Sequence, residues 1–406
     1  MLGALADGTT HISGFLEGAD SLATVAAFRA MGVSIDMLGT PGEVIIEGVG
    51  RDGLKAPATP LDMGNSGTSM RLLSGLLAAQ PFVSELTGDD SLTRRPMRRV
   101  TEPLAQMGAK ITTTEQGTAP LKIAAATSGL HGIDYHLPVP SAQVKSSLIL
   151  AGLYASGTTC ITEPAPTRDH TERMLTAFGY PLQRNHNRIC VNGGGRLHAT
   201  TLTIPGDISS AAFFMVGASI APDSDLTLEA VGVNPTRTGV IAILRAMGAD
   251  ITLLNLREFG GEPVADIRVR SAPLHGIRIA PEHVPLAIDE FPALFIAAAC
   301  AEGETILRDA AELRVKESDR IQVMAEGLTN LGIEAEALAD GIRIRGGCIG
   351  GGTVTSYSDH RIAMAFAMAA LRASAPIEVQ DCANVSTSFP GFAALAGEAG
   401  LQIAES

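Results

Sequence analysis

The segment Arg314-Val315-Lys316-Glu317-Ser318-Asp319-Arg320 packs six charged or polar side chains into seven positions. A run of this kind is usually a solvated face of surface ion pairs. Here Lys316 and Arg320 are spaced i,i+4, so on a helix they can grip one anion, with Glu317 beside them as a candidate acid. Arg94-Arg95-Pro96-Met97-Arg98-Arg99 is locally basic in an acidic chain. It reads equally as a solvated helix start with Pro at the first position or as a set of anion ligands. Thr167-Arg168-Asp169-His170-Thr171-Glu172 opens another helix, with Arg168 available for a phosphate and His170 structural.

These groups need elements to hold them, and the chain supplies a repeated one. A helix-ending phrase, apolar residues followed by Gly and then often an alternating apolar segment, recurs at Gly32, Gly108, Gly179, Gly248, Gly332 and Gly400. Gly at the position after a helix, followed by period-two alternation, reads as helix, stop, strand. Six units of about 70 residues make an α/β repeat protein.

Each later unit also has an earlier helix that is apolar nearly all round and therefore buried: 69–79, 143–155, 210–221, 291–302 and 361–372. Their N-terminal ends are polar: Gly64-Asn65-Ser66-Gly67-Thr68, Ser141-Ala142-Gln143, Asp207-Ile208-Ser209-Ser210, Asp289-Glu290 and Asp359-His360-Arg361. Such residues are first of all caps for orphan backbone donors. Arg71, Gln143, His360 and Arg361 exceed what capping needs and add phosphate-type donors. Helix N-termini that converge within a domain would make an anion site. The expectation is a polyanionic small-molecule substrate in a cleft between two three-unit domains, residues 1–200 and 201–406. Counting back about 40 residues from Gly32, the spacing seen in the other units, places the first polar start before Met1; residues 1–8 match the tail of its helix.

Composition narrows the class. A formal net charge of −13 argues against a nucleic-acid partner. Apolar runs such as 291–301 are too short to span a membrane, and the first eight residues lack the basic start of a signal peptide. Cys160, Cys190, Cys300, Cys348 and Cys382 are odd in number and widely spaced, which reads as reduced, mostly buried thiols of a cytoplasmic protein with no zinc pattern.

Taken together, Gly64-Asn65-Ser66-Gly67-Thr68-Ser69-Met70-Arg71, Arg95-Pro96, Ser141-Ala142-Gln143, Arg168-Asp169-His170, Asp289-Glu290, Arg314 to Arg320, Asp359-His360-Arg361 and Ser388-Phe389-Pro390 resemble the 5-enolpyruvylshikimate-3-phosphate synthase family. The resemblance runs in order over essentially the whole chain. It implies a two-domain inside-out α/β barrel of six βαβαββ repeats, the first incomplete. It also implies transfer of the enolpyruvyl group from phosphoenolpyruvate to the 5-hydroxyl of shikimate 3-phosphate by a monomer, without metal or organic cofactor. By resemblance Glu317 is the proton donor to the enol methylene, and Asp289 the base for the hydroxyl. Gly67 (through its backbone), Arg95, Gln143, Lys316, Arg320 and Arg361 correspond to the phosphoenolpyruvate pocket. Ser141, Ala142 (backbone), Gln143, Arg168, Asp289 and Lys316 correspond to the shikimate phosphate site.

Departures are also visible. Leu72 and Thr387 stand where one branch of the family has Pro and Lys, so the chain is more similar to the other branch. A Pro-Gly-x-Lys-Ser-x-x-x-Arg segment that opens family members is not found, from which weak or no activity of this polypeptide alone is expected. The related UDP-N-acetylglucosamine enolpyruvyl transferase carries a Cys before its Arg-Pro motif, whereas the first Cys here is Cys160. A catalytically dead remnant that only binds substrate is the alternative from another class.

Overall fold

The structure, a computed structural model, describes residues 1–404. All six helix-ending glycines have left-handed φ, between 73° and 104°. In each, the Gly N–H bonds the carbonyl three residues back and the next N–H bonds the carbonyl five back, as in Gly108 to Ala105 and Ala109 to Leu104. Only a residue without Cβ takes this conformation without strain, so the six glycines end six helices in one way.

The buried helices are α1 (Gly67–Leu77), α2 (Ala142–Gly152), α3 (Ile208–Ile220), α4 (Phe291–Ala299) and α5 (His360–Ala369). Every residue of α4 is buried, as is all of α3 apart from Ser210. The short helix Leu2–Leu5 is buried too. Four of the five polar starts are true caps: Ser66, Ser141, Asp207 and Asp359 accept backbone N–H groups of their first turns. Glu290 at the start of α4 makes no cap bond, because its carboxylate is engaged elsewhere.

The chain forms two units. One comprises Met1–Ile204 with Phe259–Gly261, the other Pro205–Glu258 with Glu262–Ser406. The first unit has three sheets; α1 packs on α2 and on Ser84–Thr87 and Leu121–Ile123, α2 on Thr158–Thr162 and Arg188–Asn192, and the helix Leu2–Leu5 on Val44–Val49. The first sheet runs in the order Leu197–His198, Ala6–Ser13, Val44–Val49, Ser34–Met37, with Thr201–Thr203 also paired to Ala6–Ser13. The last strands of the unit thus pair in parallel with its first. In the second unit, α3, α4 and α5 pack on one another, with sheets built from Asp225–Gly232, Glu262–Arg270 and Asp250–Phe259, from Glu304–Leu307, Gly341–Arg345 and Glu334–Leu338, and from Gly352–Thr355 and Ile377–Gln380. Helices within and sheets without make the inside-out α/β arrangement in each unit.

Three sequence expectations are corrected. Cys160 and Cys190 lie directly opposite each other on the antiparallel strands Thr158–Thr162 and Arg188–Asn192 and form a disulfide. Register across a sheet, invisible in a 30-residue separation, brings them together; Cys348 and Cys382 are exposed rather than buried. Pro96 is not the first residue of a helix: the helix runs Arg98–Gln106, and Arg95 ends a short 3-10 turn, Leu92–Arg94. Lys316 and Arg320 do not share a helix, because Asp319 caps a helix that begins at Arg320.

Candidate active site

In the first unit the site is made by two helices brought unusually close. A Cβ on Gly75 of α1 would lie 2.0 Å from the Ser147 carbonyl oxygen of α2, so only Gly allows this backbone approach. One turn earlier on each helix are Arg71 and Gln143. Arg71 Nη1 donates to Gln143 Oε1 at 2.5 Å, and Gln143 Nε2 donates to Thr68 Oγ1 at 2.8 Å. Arg95 Nη2 donates to Asn65 Oδ1 at 2.7 Å, and Asn65 is itself held by Asp89. A Cβ on Gly67 would lie 3.1 Å from Arg71 Nη1 and also 3.1 Å from Arg95 Nη1. Two guanidiniums therefore flank the bare backbone at the first residue of α1, where N–H groups point outward.

Ser141 caps α2, with Ala142 and Gln143 in the first turn. Arg168 lies in the loop before the helix His170–Ala177, whose cap position, Asp169, is 1% exposed and spends its carboxylate on Arg173 and Arg184.

In the second unit the candidate residues form a lattice of charges. Arg320 is 1% exposed, yet three carboxylates face it. Nε donates to Asp359 Oδ2 at 2.8 Å, Nη2 to Glu317 Oε2 at 2.6 Å, and Nη1 is 3.6 Å from Asp289 Oδ1. Lys316 Nζ approaches the same Asp289 oxygen at 3.4 Å, and Arg361 Nη1 donates to the Asp289 carbonyl at 3.2 Å. The pair expected to grip an anion from one helix thus grips a carboxylate from two different elements.

Sequence reasoning missed a second lattice beside it. Arg237 Nη2 donates to Ser209 Oγ at 2.5 Å and is 3.3 Å from Asp207 and 3.5 Å from Glu290; Ser209 donates to Glu290. The polar helix starts signalled Asp207, Ser209 and Glu290, whereas Arg237, in a loop, gave no signal.

Electrostatics follow the pairing. Burial would raise the Asp359 carboxyl, but the charge and hydrogen bonds of Arg320 overcome it and hold the group below the ordinary carboxylate range. Protein around Asp207 pushes its carboxyl up, and Arg237 with Arg361 more than offsets this. Burial, then the charge of Arg361, lowers His360 to about 4. His360 is therefore neutral at pH 7, with one ring N–H to donate and one ring nitrogen to accept.

Residues 1–395 match the EPSP synthase (3-phosphoshikimate 1-carboxyvinyltransferase) family. The chain is 68% identical to the 3-phosphoshikimate 1-carboxyvinyltransferase of Methylococcus capsulatus over 99% of its own length and 92% of that protein. It is 67% identical to the Alkalilimnicola ehrlichii protein of the same name, over 99% of this chain and 90% of that one. The structure of an EPSP synthase from Acinetobacter baumannii superposes with a TM-score of 0.90 at 60% identity, covering 99% of this chain and 92% of that one. With six repeats, two inside-out units and this constellation of charges, the chain belongs to the EPSP synthase family.

Proposed function

We propose that this chain transfers the carboxyvinyl group of phosphoenolpyruvate to the 5-hydroxyl of shikimate 3-phosphate, releasing phosphate, with Asp289, Glu317 and Lys316 as its catalytic groups. The observation that carries the assignment is the shared contact of Lys316 and Arg320 with one oxygen of Asp289, while Glu317 rests on the same guanidinium. An acid and a base for two proton transfers are thereby tied to one buried cation.

In the addition step the Asp289 carboxylate accepts the proton of the 5-hydroxyl as its oxygen bonds to C2 of phosphoenolpyruvate. The Glu317 carboxyl delivers a proton to C3, turning the methylene into a methyl group. The tetrahedral ketal then loses phosphate from C2 as the Glu317 carboxylate takes a proton from the C3 methyl group, which regenerates the double bond of the product ether. The Asp289 carboxyl passes its proton to the departing phosphate, so that both side chains are regenerated. Lys316 lies close enough to Asp289 to stabilise its charged form and to meet substrate oxygens. Arg95, Gln143, Arg320, Arg361 and the Gly67 backbone bind phosphoenolpyruvate. Ser141, Ala142, Gln143 and Arg168 bind the shikimate phosphate.

Phosphate release measured with each substrate alone and with both tests the reaction, together with identification of the enol ether. Release that requires both substrates and falls sharply in Asp289→Asn and Glu317→Gln is expected. Release with UDP-N-acetylglucosamine in place of shikimate 3-phosphate would overturn the substrate assignment. Calorimetric binding without release would mark a substrate-binding remnant.

A further inference from the structure

We infer that Lys145 is a positioning residue for Arg168, an inference that rests on the assignment of Arg168 to the shikimate phosphate. Lys145 is the lone charge in α2, two residues after Gln143, and its side chain is 0% exposed. An ammonium so placed is strongly unfavourable unless paired. Its Nζ lies 3.0 Å from Glu163 Oε2 and 2.8 Å from Glu172 Oε1, both themselves buried. None of the three has a role in the reaction proposed above.

Their positions along the chain give them a use. Glu163 directly follows the strand Thr158–Thr162, and Glu172 is in the helix His170–Ala177. One ammonium therefore joins both ends of the loop that carries Arg168. Thr167, next to Arg168, donates its hydroxyl to the other oxygen of Glu163. Asn187 fixes the Glu163 backbone from a neighbouring segment, donating Nδ2 to its carbonyl at 2.6 Å. On the far side of Arg168, Asp169 is held by Arg173 at 2.8 Å and Arg184 at 2.7 Å. Ser146, adjacent to Lys145, adds a hydroxyl contact to Thr171 at 2.7 Å. The backbone of Arg168 is clamped on both sides, and the clamp on the N-terminal side leads through Glu163 to the helix that also presents Ser141 and Gln143. Buried ion clusters give little net stability over apolar packing; this one registers a phosphate ligand against the helix that shares its substrate.

A double-mutant cycle on the full chain, read as the dissociation constant for shikimate 3-phosphate, tests this. Lys145→Met is expected to weaken binding about tenfold in the native background and less than about twofold when Arg168 is already Ala. Turnover at saturating substrates should stay within about threefold, which a general loss of structure would not allow. Equal weakening by Lys145→Met in both backgrounds overturns the positioning role and leaves Arg168 as a phosphate ligand. No weakening by Arg168→Ala overturns the assignment of Arg168 and the inference with it. Should Lys145→Met fail to fold, Thr167→Val keeps the ion cluster and removes only the link beside Arg168. It should weaken binding about threefold, an effect lost with Arg168→Ala; no weakening overturns the inference.

Discussion

The two units use the same buried-helix design and give the arginines at their candidate sites different partners. In the first, the guanidiniums of Arg71 and Arg95 donate to the amide oxygens of Gln143 and Asn65. In the second, Arg320 and Arg237 rest on the carboxylates of Asp359, Glu317, Asp289, Asp207 and Glu290. Amide partners orient a cation that is to bind an anion. Carboxylate partners fix a cation in place and leave acids and bases arranged round it. The difference teaches that one repeated scaffold can give its arginines different partners, amide oxygens at Arg71 and Arg95 and carboxylates at Arg320 and Arg237.

The contrast can be broken most severely in the second unit. Asp289→Asn keeps the shape of the side chain and removes the base, so kcat should fall by about 10²- to 10⁴-fold with substrate affinity far less affected. Steady-state kinetics with separate KM values checks this, and an equal loss in KM would place Asp289 among binding groups instead. Arg320→Met leaves Asp359 buried and unpaired. Urea unfolding should report a loss of about 3–5 kcal/mol, as for other broken buried pairs.

Changes in the first unit should act on binding. Gly67→Ala brings a methyl group to 3.1 Å from two guanidinium nitrogens that must give way. The KM for phosphoenolpyruvate should rise about tenfold while the urea midpoint stays nearly constant. Gly75→Ala offers a control in the same helix, because its methyl would meet backbone at 2.0 Å. It should lower stability by about 1–3 kcal/mol and disturb the Arg71–Gln143 contact as a consequence.

The smallest effect is in pH dependence, where individual groups differ in sign. His360 is lowered to about 4 in the folded chain, so its stabilising share is complete above its unfolded value of 6.5 and drains away as pH falls toward 4. Asp359 acts in the same direction at lower pH, being depressed below 3.8. Glu172 in the first unit is raised, mainly by burial, so its share runs the other way and declines as pH rises through 4.5 and beyond. Unfolding free energies between pH 7 and 4.5 should therefore decline with acid, and His360→Asn should flatten the slope.

The sequence by itself determined the repeat and its punctuation. A left-handed helix stop has one cheap residue, so Gly32, Gly108, Gly179, Gly248, Gly332 and Gly400 could be read without coordinates. The apolar helices were legible because a helix without a polar face has nowhere to go but inside, and their starts marked Ser66, Ser141, Asp207 and Asp359 as caps. Tertiary structure alone decided which charges meet. Lys316 and Arg320 meet over Asp289 from separate elements, Arg237 joins Glu290 from a loop, and Cys160 finds Cys190 through strand register. Local signals depend on backbone preference within a turn or two, whereas the partner of a buried charge is fixed only when distant segments exclude water around it.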